Sequence, residues 1–295
     1  MPQTAIINSF TNYKKLRNGE WSLTDKGTEL NFCDWHILAE GDSWFHLNRK
    51  FGIAENLILS LEFTKPTAIA NLAMAGDNES QMIDGSMKGL LNKSRVAAFT
   101  GAVNYQHWDM YLISAGGNDL IDAFDGGYII SDTETVKIIK ENSSATKYED
   151  YINHEALTKA IKHIKDCFIE LIYILRLNPK NTDTKIITHT YDYFTLRNCK
   201  TKKSKRQIAL EKHNIPIKYW KQIAKHMNEA LRNALLSFNN NTTFKNVVVI
   251  DTLGTLAPAS ENVPGNTGYW RNEIHPNQVG YSKLAHDKIN SYLTA

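Results

Sequence analysis

Residues 33–45 read CDWHILAEGDSWF, and the fold turns on how this stretch is interpreted. Its first eight residues form a short, largely apolar run bounded by turn residues. Such runs fit strands buried on both faces of a parallel sheet. The run leads into Gly41-Asp42-Ser43. Ser43 at that position is either a nucleophile or an ordinary helix cap, because Ser and Asp are both favoured N-caps.

Four more runs of the same kind follow: TAIANLAM at 67–74, WDMYLISA at 108–115, KIITHTY at 185–191 and KNVVVID at 245–251. Between them lie helical patterns. In 155–177, Leu157, Ile161, Ile164, Phe168, Leu171, Ile172 and Leu175 make one apolar stripe at three- and four-residue spacing. A second helix is expected over 216–238, with Pro216 in its first turn, and a third over 278–293. Strand–helix alternation implies an α/β layer fold with right-handed crossovers. In such folds ligands sit at the C-terminal ends of the strands.

Bulk composition bounds the rest. The chain has 295 residues, 42% hydrophobic and 22% charged, which suits a globular protein with a large core. A net charge of +3 demands no polyanionic partner, so no nucleic acid is expected. Cys33, Cys167 and Cys199 are too widely spaced for a disulfide framework or a zinc site, and Cys33 and Cys167 read as small core residues. No signal peptide and no membrane-spanning run stands out. The default location is therefore the cytoplasm, and export without a signal is compatible with it.

The strand ends carry the chemistry. They are Gly41-Asp42-Ser43, Ala75-Gly76-Asp77-Asn78, Gly116-Gly117-Asn118-Asp119, Thr190-Tyr191-Asp192-Tyr193 and Asp251-Thr252. Taken singly, these are turn residues. Taken together, they offer a nucleophile and hydrogen-bond donors for an oxygen that becomes negative. Ser43 supplies a hydroxyl and an N–H, Gly76 an unobstructed backbone N–H, and Asn118 an uncharged NH₂. A serine needs a base, and His275 in WRNEIHPNQVGYSKLA (270–285) precedes Pro276, which holds it in an extended turn before the last helix.

These four blocks, GDSW, AGD, GGND and NEIHPN, resemble in order those of the SGNH hydrolases, also called GDSL esterases and lipases. The resemblance implies a flavodoxin-like three-layer α/β/α sandwich around a mainly parallel five-stranded sheet. It implies Ser43 as nucleophile and His275 as general base and acid. Ser43 N–H, Gly76 N–H and the Asn118 side chain would then form the oxyanion hole, and neither a metal nor an organic cofactor is required. The family core occupies 31–295, with 1–30 an extension packing on it or mediating assembly. The substrate would be a small-molecule or lipid ester; its identity and the oligomeric state stay open.

One residue departs from the pattern. The family usually carries Asp three residues before the histidine; here it is Asn272. Asp accepts the imidazole Nδ1–H and stabilises the imidazolium, whereas Asn adds no charge and can present NH₂ instead. Three readings follow. Asn272 or a backbone carbonyl orients His275; or Glu273 or Asp251 substitutes as the acid; or the chain is a weak or inactive binding protein on the same fold. The basic run 197–206 is either a solvated face or an attractor of anionic substrates. Trp44, Phe45, Tyr128, Tyr191, Tyr193 and Trp270 either pack or line a pocket, and 122–153 is long enough for a lid or substrate loop.

Overall fold

The computed structural model describes residues 3–18, 30–46, 55–76, 90–125, 127–131 and 133–293. All five expected strands form: β2 (Trp35–Gly41), β3 (Thr67–Asn71), β4 (Met110–Ser114), β7 (Lys185–His189) and β8 (Val247–Ile250). Every residue of β2, β3 and β4 is buried, which is why they read as continuous runs without alternation. A sixth strand, β1 (Ile6–Ser9), joins them, and the order across the sheet is β8-β7-β4-β2-β3-β1. Each pairing in this sheet is parallel.

The five-stranded expectation is thus corrected to six. Ile6 and Ile7 pair with Ala68 and Ile69 at the sheet edge. Four residues, three half-buried and one exposed, leave too brief a pattern to read as a strand. Ser9 ends β1 and caps α1 (Phe10–Arg17), its side chain accepting the Asn12 N–H.

Helices flank the sheet, α2 (Leu90–Tyr105) and α5 (Lys205–Lys212) among them, making the α/β sandwich. In α4 (His154–Leu175), capped by Asn153, the stripe residues Leu157, Ile164, Phe168, Leu171, Ile172 and Leu175 are buried. Each such burial contributes roughly 1.5–3 kcal/mol of transfer free energy. The next long helix, α6, spans Trp220–Leu236 and follows a 3₁₀ turn at Ile217–Tyr219, so Pro216 stands before the turn rather than inside the helix. The expected last helix is divided into α7 (Gln278–Leu284), a π turn at Ala285–Ile289 and a 3₁₀ turn at Asn290–Tyr292.

Within 122–153, α3 (Gly117–Asp125) is followed by a hairpin of β5 (Tyr128–Ser131) and β6 (Glu134–Val136). The hairpin packs on α4, and Ile138, Ile139 and Ile152 beyond it are buried. The hairpin and residues 136–139 are thus anchored on the core, while residues 140–150 are exposed or half-buried. All three cysteines are buried and unbridged.

Candidate active site

Strand β2 delivers Ser43 into a turn whose cap is its neighbour. The Asp42 carboxylate accepts the Trp44 N–H at 2.9 Å, and the Asp42 carbonyl accepts the N–H groups of Phe45 and His46. Capping falls to Asp42, which leaves the Ser43 hydroxyl for another partner. That partner is His275, 232 residues away, with Ser43 Oγ 2.6 Å from Nε2.

His275 is held by a tight loop. Its carbonyl accepts the Arg271 N–H, and Trp270 bridges to Pro276. Trp44 Nε1–H donates to the Ile274 carbonyl, tying this loop to the Ser43 turn. Asn272 Oδ1 accepts the backbone N–H groups of Ile274 and His275 at 3.0 and 2.8 Å. Those two donors fix which end of the amide is oxygen. Oδ1 then lies 3.1 Å and Nδ2 3.0 Å from His275 Nδ1. Burial, followed by the charges of Arg271 and Arg206, pushes the His275 pKa down to about 4. The imidazole is neutral at physiological pH, as a base must be.

The other two acid candidates point elsewhere. Glu273 is buried and accepts from Arg206 Nε at 2.8 Å, Ser204 Oγ at 2.9 Å and the Arg197 N–H at 3.1 Å. Asp251 receives Arg232 Nε at 2.9 Å and 3.0 Å on its two oxygens. That pairing lowers the Asp251 pKa. The basic run is therefore of two kinds. Arg197 is buried and donates to the carbonyls of Val263 and Asn272, bracing the His275 loop, and Arg206 is engaged by Glu273. Lys200, Lys202, Lys203 and Lys205 are exposed.

Asn118, in the first turn of α3, lines one cleft with Ser43 and His275. Gly76 lies beyond β3, exposed and with φ of +88°, a conformation suited to glycine. It is not among the residues lining that cleft. Asp77 and Asn78, the rest of its block, lie outside the described residues. Gly117 has a specific reason to be glycine: a Cβ there would meet the Tyr191 ring at 2.8 Å.

Beneath Ser43 lies a buried polar network that sequence reasoning did not anticipate. Tyr191 OH donates to Asp42 Oδ2 at 2.7 Å and Ser114 Oγ–H to Asp42 Oδ1 at 3.1 Å. His189 Nδ1 accepts the Tyr191 N–H, so its Nε2–H faces Ser114 Oγ at 3.1 Å. Burial lowers the His189 pKa to about 3 and raises that of Asp42 to about 6. Tyr191 adopts φ of +62° to make these contacts. The unusual backbone of a non-glycine residue has no signature in the sequence. Trp44 stacks on His189 at 5.3 Å and meets Tyr191 edge-on, and Trp44 and Tyr191 both line the cleft. Phe45, Tyr128 and Trp270 are buried packing residues.

The model of the family described as GDSL-like Lipase/Acylhydrolase matches residues 22–287. The chain belongs to that family. Membership makes it a carboxylic ester hydrolase, and the parallel sheet flanked by helices is the family's fold class. Among solved structures, an extracellular lipase from Streptomyces rimosus is similar at 14% identity and a TM-score of 0.46, covering 88% of this chain and 97% of its own. The acetylxylan esterase Axe2 from Geobacillus stearothermophilus is similar at 13% identity and a TM-score of 0.40, covering 86% and 91%. No curated protein matches the sequence. Among the described residues of this GDSL-like hydrolase, no helix is long and apolar enough to cross a membrane, and no group of His, Cys, Asp and Glu side chains has the makings of a metal site.

Proposed function

We propose that this GDSL-like hydrolase cleaves small-molecule or lipid esters through an acyl-serine formed on Ser43, with His275 as base and Asn272 as its orienting partner. The reading rests on the 2.6 Å approach of Ser43 Oγ to His275 Nε2. With the proton on Nδ1 facing Asn272 Oδ1, Nε2 accepts the Ser43 proton as the oxygen attacks the ester carbonyl. The carbonyl oxygen becomes an oxyanion, which the Ser43 N–H and the Asn118 amide, both on the cleft, are proposed to receive. Collapse releases the alcohol, which takes the proton back from His275. Water then repeats the sequence and frees the acid. Fluorophosphonate labelling of Ser43, and loss of 4-nitrophenyl acetate hydrolysis in Ser43→Ala, test this directly. An unlabelled Ser43, or undiminished turnover in the variant, refutes it.

One contact favours a second reading, a weak or inactive binding protein. Asn272 Nδ2 is as close to Nδ1 as Oδ1 is. If Nδ2–H donates to Nδ1, the imidazole proton sits on Nε2, which then donates to Ser43 instead of accepting. Asn272→Asp separates the two cases, since a carboxylate accepts only.

A further inference from the structure

The segment that follows β7 borders two cavities. On one side is the cleft of Ser43, Asn118 and His275, whose wall includes Asp192 and Phe194. On the other is a cavity of about 230 Å³, bounded by Tyr193, Phe194, Leu196, Pro258, Lys221 and Lys225. Phe194 is part of both walls, so the two spaces are neighbours across one ring. The second cavity is the larger of the two by volume, and exceeds the roughly 150 Å³ that suffices for a benzene ring in an apolar site.

The shared segment is hydrogen-bonded to two other loops. The buried Asp192 carboxylate accepts N–H groups from Tyr193, Gly254 and Leu256 at 2.6–2.7 Å. The Thr195 N–H donates to the Glu273 carbonyl, and Thr195 Oγ1 accepts the Ala259 N–H. The second cavity's chemistry is specific. The floor is aromatic and aliphatic, while Lys221 and Lys225 stand four apart on α6, along one face of that helix. Lys225 is 3.7 Å from Glu229, which also receives the Tyr193 hydroxyl, and Glu261 is a further lining residue. An apolar wall beside two ammonium groups matches an aromatic ring that carries an anion.

We propose that this cavity is a substrate subsite for an apolar, ring-sized group bearing a carboxylate or sulfonate, with Lys221 and Lys225 facing the anion. Its link to turnover rests on the ester-hydrolase reading; its ligand chemistry does not.

Two measurements separate the claims. The first is calorimetric titration of 2-naphthoate into the Ser43→Ala protein. The Kd is expected to rise by about tenfold with Lys221→Glu/Lys225→Glu, less so at high salt, and binding is expected to be lost when Pro258→Trp fills the cavity. The second is the ratio of kcat/KM for 6-acetoxy-2-naphthoate to that for 2-naphthyl acetate, which is expected to fall about tenfold in the lysine double variant. Affinity and ratio both within twofold of the parent protein in both variants would overturn the subsite. Binding that responds to the variants in a protein that hydrolyses neither ester would uphold the subsite and sink the hydrolase reading instead.

Discussion

Replacing Asn272 with Asp should make this enzyme faster, and the geometry sets the scale. The two backbone N–H groups that Oδ1 accepts would serve a carboxylate equally well. The amide NH₂ now 3.0 Å from His275 Nδ1 would disappear, and the wrong tautomer with it. Arg197 donates to the carbonyl of residue 272, and the charges of Arg271 and Arg206 already reach His275, so a new anion would sit among cations. An opposite charge at this distance raises a histidine pKa by about 1 to 3, each step being about 1.4 kcal/mol or tenfold. Starting from about 4, His275 would stay largely neutral at pH 8, yet the imidazolium formed in the transition state would gain that stabilisation. We expect kcat on 4-nitrophenyl acetate to rise by about 10- to 1000-fold. The acid limb of the pH–rate profile should move upward from near pH 4 in step with it. A folded Asn272→Asp protein with unchanged kcat and an unmoved acid limb would refute the reasoning, and so would one that is slower.

Other outcomes follow from the same contacts. Because His275 is held down to about 4, kcat/KM of the parent protein should stay flat from about pH 5.5 upward to pH 8, where an ordinary histidine would lose activity below about 6.5; a limb near 6.5 would contradict the burial argument. Tyr191→Phe removes one donor from the buried Asp42 carboxylate and should cost about 1.5–3 kcal/mol in urea unfolding at pH 8. Asp42 has a folded pKa raised to about 6 by burial, and losing the Tyr191 donor would raise it further, so the loss should shrink as pH falls from 8 toward 6, where the carboxyl protonates in both proteins; a loss independent of pH would exclude the hydrogen bond as its cause. Glu273→Gln leaves Arg206 without its anion beside the His275 loop and should destabilise by about 3 kcal/mol. Its kcat should fall more than its KM changes, because the loop rather than the substrate is disturbed; a pure KM effect would count against that role.

How much of this was legible beforehand differs between elements. The buried strands declared themselves because residues such as Ile37, Leu38, Ile69 and Leu112 have apolar neighbours on both faces of the sheet. Helix α4 did so through its stripe. Strand β1 did not, since a four-residue edge strand exposes one side and makes no run. Ser43 and Asn118 were visible as short motifs after buried strands and His275 as one before the last helix, and the fold lines one cleft with all three. Gly76 was named with them and stands outside the cleft that the other three line.

By itself, then, the sequence determined the alternation of buried strands and amphipathic helices, and which side chains could supply a nucleophile, a base and donors. Those depend on periodicity and residue type, which are local. Tertiary structure alone decided what each group faces. It turned Glu273 to Arg206 and Asp251 to Arg232, left the Asn272 amide against His275, and made Asp42 rather than Ser43 the cap of the turn. It also turned Arg197 of the basic run onto the loop that carries His275. Partners tens to hundreds of residues apart meet only when the sheet and its loops close, and burial then sets which of them are charged.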